Sequence, residues 1–171
     1  MSRIYLSLLF FVVVQSAHAT ENSPQFRGEN ASGVAPSKGL PTKWTTKENV
    51  AWSQKIPGEA WSAPIVWKNR VFVTSFITDE KLTDPKTGYY APFKTKKPKG
   101  ICQWMVYCLD LTTGKIIWER VAHKGKAQHT IHVKGSYASE TPVTYGEHVY
   151  AYFGNVVLYC YDMQGNKKWS K

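Results

Sequence analysis

Beyond residue 61 the chain alternates apolar and polar positions with a period of two, in short runs broken by Gly, Asn, Asp and Lys. The pattern is clearest near the C-terminus. PVTY (142–145), VYAYF (149–153) and VVLYCYD (156–162) read as strands, turned by Gly146-Glu147-His148 and Gly154-Asn155. Gln164-Gly165-Asn166 then leads into a last strand around Trp169. Four such strands make one antiparallel meander. The strands are expected within 62–77, 105–118 and 142–169, and no stretch after residue 19 sustains the 3.6-residue period of a helix. The predicted class is therefore all-β. A single small sheet cannot bury both of its faces, so units of this kind must stack or close into a ring.

The meander is written twice. YCLDLTTGKIIW (107–118) and YCYDMQGNKKW (159–169) align with Cys108/Cys160 and Asp110/Asp162 both 52 apart, and Gly114/Gly165 and Trp118/Trp169 both 51 apart. Upstream, APIVWKNRVFV (63–73) aligns without a gap on TPVTYGEHVYA (141–151) at an offset of 78. Since 78 − 52 = 26, the first copy carries about that many extra residues between its halves. The segment 79–100, with six lysines and three prolines and no alternation, is the expected insertion, a surface excursion between the second and third strands of the first copy.

Each copy ends on an Asp, a turn with Gly, and a Trp: Asp110, Thr113, Gly114 and Trp118, then Asp162, Gly165 and Trp169, with Gln164 where the first copy has Thr. These residues resemble the tryptophan-docking repeat of the PQQ-like (quinoprotein-type) β-propellers. PQFRGENASGV (24–34), LPTKW (40–44) and ENVAW (48–52) are similar to the opening of secreted bacterial members of that family. The resemblance implies antiparallel four-stranded blades with Trp118 and Trp169 buried between sheets. It also implies a strand over 49–56, Trp52 included, that completes a blade this chain does not hold. Propellers have about four to eight blades of roughly 40–45 residues. Two units and one closing strand thus read as an incomplete propeller, a fragment whose missing blades are its first partners. The resulting division is a signal peptide at 1–19, an N-terminal segment at 20–61, a first blade at 62–118 with the 79–100 insertion, a connecting loop at 119–136 and a second blade at 137–171.

The division at residue 19 rests on Arg3, the apolar run of residues 4–14 and Ala17-His18-Ala19, the pattern of a cleaved export signal. The run is too short to span a membrane, so an exported protein, periplasmic or extracellular and not integral to the membrane, is expected. The formal net charge is +10, or +9 without the leader's Arg3. Six lysines of the insertion account for much of it, and a solvated loop is the ordinary explanation; contact with an anionic polysaccharide, lipid or nucleic acid is the sharper one. No groove-entering element or stacking platform points to nucleic acid.

Chemistry-bearing clusters are few. Cys102, Cys108 and Cys160 are an odd set, with Cys102 and Cys108 on one expected strand at ~20 Å and so outside disulfide reach. They read as small core hydrophobes. His123, His129 and His132 have ligand chemistry, but their spacing imposes no metal geometry and fits a polar loop as well. Asp110 and Asp162 sit in turns, where a carboxylate serves the local backbone. No catalytic residue is assigned. Two classes of function stand: a non-catalytic exported propeller that binds a protein or polysaccharide, or part of a quinoprotein dehydrogenase oxidising alcohols or sugars. By resemblance the latter would need PQQ, calcium with Glu and Asn ligands, and an Asp base. None of these residues can be placed in the sequence, and the binding class is favoured, with no cofactor expected.

Overall fold

The third strand of the first repeat is buried at almost every position, which an alternating strand achieves only when both faces are covered. The computed structural model describes residues 22–35, 37–82, 96–154 and 156–171. The expected leader (1–19) and the middle of the insertion (83–95) lie outside the described residues. The described residues form two four-stranded antiparallel sheets, with one short 3-10 turn at Glu29–Ala31. The first sheet holds β1 (Ile65–Trp67), β2 (Arg70–Ile77), β3 (Cys102–Asp110) and β4 (Ile116–Gly125) in sequence order. The second holds β5 (Val143–Thr144), β6 (His148–Tyr152), β7 (Leu158–Asp162) and β8 (Lys167–Ser170), likewise in order.

Burial follows the period of two. On β3, Cys102, Trp104, Val106 and Cys108 pack into a cluster with Val149, Ala151, Tyr159 and Tyr161 of the second sheet. The alternate residues Met105, Tyr107 and Leu109 face the other way, onto Trp52 and Ile56 of the N-terminal segment. One side of the first sheet is thus covered by a sheet and the other by an irregular stretch of chain.

The repeat extends to its irregularities. The β3–β4 pairing shifts between Cys108 and Leu109, and β7–β8 shifts between Cys160 and Tyr161, so Ile117 and Lys168 are the extra residues of equivalent bulges. A bulge bends its strand and re-aims the next side chain. Here that side chain is Trp118 or Trp169.

Four expectations need correction. Trp169 is 39% exposed where burial was expected, because no further sheet covers the outer side of the second sheet among the described residues. Residues 49–56 form no strand, since they offer the first sheet side chains and not a backbone ladder. The stretch 119–136, expected as a loop, begins with strand: β4 runs on to Gly125, pairing its Arg120, Val121 and His123 with β3. The insertion is more than a solvated excursion at its base, where Pro98 is buried and Leu82 packs on the core. There the Glu80 carboxylate accepts the amides of Lys99 and Gly100, both at 2.6 Å. Its position between β2 and β3 is as expected.

Candidate functional site

The repeated turn motif organises the most specific contacts in the molecule. Asp110 closes the turn after β3: its Oδ1 accepts the Thr113 amide at 2.7 Å and the Thr113 hydroxyl at 2.9 Å, and its Oδ2 accepts the Asn69 side-chain amide at 2.6 Å. After β7, Asp162 Oδ1 accepts the amides of Gln164 at 3.0 Å and Asn166 at 2.8 Å. Its Oδ2 accepts the Asn166 side chain at 2.9 Å and meets Lys168 Nζ at 3.1 Å. Gln164, in place of Thr, therefore contributes its backbone, and Asn166 supplies the side-chain donor that Thr113 supplies in the first turn.

These donors stabilise the carboxylates. Thr113, through hydroxyl and amide, holds Asp110 below its ordinary value of 3.8, with Asn69 adding to the effect. Asn166, through side chain and amide, holds Asp162 well below the carboxylate range, assisted by Lys168. Both folded-state values are depressed, so the stabilisation is full above the unfolded value of ~3.9 and is lost as pH falls through the folded values. Thermal melts are expected to be level between about pH 5 and 7 and to fall below about pH 4. The paired variant Asp110→Asn, Asp162→Asn should have a shallower acid slope; an unchanged slope would show that the turns do not set it.

Each turn receives an indole from elsewhere. Gly114 and Gly165 have φ of +71° and +81°, a region that L side chains disfavour. A Cβ on Gly114 would lie 2.4 Å from the Trp52 ring, and one on Gly165 would lie 2.7 Å from the Trp118 ring. Each indole N–H completes the fit: Trp52 Nε1 donates to the Leu111 carbonyl at 2.8 Å, and Trp118 Nε1 to the Met163 carbonyl at 3.0 Å. The tryptophan that ends one unit thus docks on the glycine turn of the next.

Two arginines of the first sheet reinforce the second dock. Arg70 donates to the Met163 carbonyl, and Arg120 Nε donates to the Gly165 carbonyl at 2.7 Å. The Arg120 guanidinium also lies 5.6 Å from the centre of the Trp118 ring, within cation–π range. Sequence reasoning did not single out either arginine or Asn69, and it named Asn166 only as a turn residue. The only signal for the arginines is a long cation in a strand, which usually means a solvated face.

The histidines are not brought together into a ligand set. His123 packs edge-on against Trp104 at 5.1 Å, His129 lends its carbonyl to the Tyr137 hydroxyl at 2.7 Å, and His132 Nδ1 accepts the Lys134 amide at 3.0 Å. Among the described residues no group of three or more His, Cys, Asp and Glu could hold a metal ion. The three cysteines are free and buried, and burial pushes the Cys108 thiol up to about 11, so it stays protonated at neutral pH.

Among the described residues, the outer face of the second sheet is one surface that carries exposed apolar side chains. Val143, Tyr152 and Trp169 are exposed there, and Tyr150 lies 5.9 Å from the Trp169 ring. The equivalent face of the first sheet, with Phe72, Cys108 and Trp118, is covered by β6 and β7. A scan against protein-family models and a search of the curated proteins both returned no match to this sequence.

Proposed function

We propose that the two sheets are blades of an exported PQQ-like β-propeller, and that the chain serves as a non-catalytic binding or scaffold module. The observation that carries the reading is the repeated dock of an indole on a glycine turn. Three tryptophans, Trp52, Trp118 and Trp169, stand at matching places, and among the described residues two of them, Trp52 and Trp118, each dock on the Asp-and-Gly turn of the unit that follows. Trp169 lies 39% exposed among the described residues, on an apolar face that in the preceding unit is covered by a sheet. The arrangement suits serial stacking of further units of the same kind. Docking of this sort builds rigid recognition surfaces from loops at the ends of sheets, and fold alone confers no activity. The basic charge, +10 over the full chain, favours an acidic partner surface on a protein or polysaccharide.

The test contrasts this reading with the dehydrogenase. The purified chain is titrated with pyrroloquinoline quinone and calcium, then supplied with an alcohol or sugar and an artificial electron acceptor. The expected result is no saturable quinone binding and no acceptor reduction. In a ring, a central cofactor site collects residues from many blades, and two blades cannot enclose it or exclude water. A saturable, calcium-dependent quinone titration would overturn the binding-module reading.

A further inference from the structure

Strands β1 and β5 are edge strands, each paired on one side only, and they lie next to each other: the Trp67 ring of β1 comes within 3.6 Å of a Cβ built on Gly146, just after β5. Free edges present unpaired N–H and C=O groups, ready to take up another extended segment. Both edges are occupied by the same short piece of chain. Ser23 exchanges two hydrogen bonds with Val66 of β1, amide to carbonyl each way at 2.8 Å. The Asn22 side-chain carbonyl accepts the Lys68 amide at 2.7 Å, capping the turn that follows β1. One residue further on, the Pro24 carbonyl accepts the Thr144 amide of β5 at 2.9 Å.

The segment behaves as a ligand would. Four hydrogen bonds link three consecutive residues to two different sheets, and Pro24, having no N–H, leaves no donor unsatisfied between them. The chain that follows is held differently. Arg27, Asn30 and Ala31 adopt left-handed φ of 63°, 56° and 52°, which non-glycine residues disfavour. Cavities of about 290 and 280 Å³ border this coil, lined by Ser23, Gly28, Val34 and Ala35 among others. A well-anchored tripeptide is thus followed by a coil with three left-handed non-glycine residues, a combination in which the anchor and not the coil supplies the binding.

We propose that the edges of β1 and β5 together form an acceptor site for an extended peptide, and that residues 22–24 are its occupant in cis. The site reads backbone more than side chain. Its ligand is an extended segment with a side-chain carbonyl at the first position, a free N–H at the second and a proline at the third. The proposal is independent of the propeller reading and of any cofactor.

The test uses the whole chain carrying Asn22→Ala and Ser23→Pro, which weakens the cis occupant, and a synthetic peptide of sequence NSPQFRGENASGVA (22–35). The peptide should bind this variant saturably and bind the unaltered chain at least ~10-fold more weakly, because there the site is filled. The same peptide N-methylated at Ser23 should lose ~10-fold in affinity for the variant, since the donor to Val66 is gone. No binding to the variant, equal binding to the unaltered chain, or no effect of methylation would each overturn the proposal. A second measurement needs no variant. In the unaltered chain the amides of Val66, Lys68 and Thr144 should exchange with solvent at least ~10-fold more slowly than in an unstructured peptide. Unprotected exchange at Val66 and Thr144 would show that the edges are vacant and would equally sink it.

Discussion

Replacing Trp118 with alanine is expected to destabilise the protein by ~3–5 kcal/mol, the range for large aromatic truncations in cores. The side chain is buried and does several things at once. It stacks on Gly165, donates to the Met163 carbonyl, lies under Arg120 and touches the rings of Phe72 and Tyr161, at 5.9 and 6.2 Å. Removing it leaves a cavity at the junction of the sheets and strips one carbonyl of a donor. Trp169→Ala, at the equivalent place in the second copy, should cost about 1 kcal/mol or less, because that ring is 39% exposed and rests on Tyr150. Thermal melts of the two variants give the comparison, and equal losses would mean that docking is not what makes Trp118 important.

Gly165→Ala should be nearly as damaging, by about 2–4 kcal/mol, although it adds only a methyl group. Two penalties coincide at this residue. Its φ of +81° is strained for any L side chain, and the new Cβ would sit 2.7 Å from Cδ2 of Trp118, too close for a packed ring to accept. The indole must then withdraw, weakening its bond to Met163. Gly39→Ala is the control: its φ is also positive, at +67°, but nothing lies near the added atom, so it isolates the backbone part at ~1 kcal/mol. If urea denaturation gives both variants the same loss, the contact with Trp118 contributes nothing.

The turns were legible in the sequence because their chemistry is local. Asp110 with Thr113 and Asp162 with Asn166 bond within four residues, so spacing alone carries the information. The position of the insertion was legible too, since the offset changes from 78 to 52 between the halves of the repeat. The destination of each indole was not. Trp118 docks on a turn 45 residues ahead and Trp52 meets a carbonyl 59 residues ahead, and no local pattern states which turn receives which ring. Arg70 and Arg120 escaped for a related reason: each reads as a solvated cation until a carbonyl of the second sheet is placed before it. The strap at 22–24 was invisible because it pairs largely through backbone atoms, which every residue type shares. The continuation of β4 to Gly125 was missed because its residues are largely polar or half-exposed, so the core imposes little alternation on them.

The two central hairpins differ in a way that bears on the order of folding. Between β2 and β3 the chain runs through residues 78–101, which is 24 residues, whereas between β6 and β7 it runs through 153–157, only 5. Loop-closure entropy rises with the logarithm of length, so bringing β2 and β3 together carries an extra ~1.4 kcal/mol, or about a tenfold handicap in rate. The second sheet is therefore the natural nucleus. Its Asp162 turn forms early from neighbouring residues, and the first sheet condenses onto that finished surface when Arg70, Trp118 and Arg120 find the carbonyls of residues 163–165.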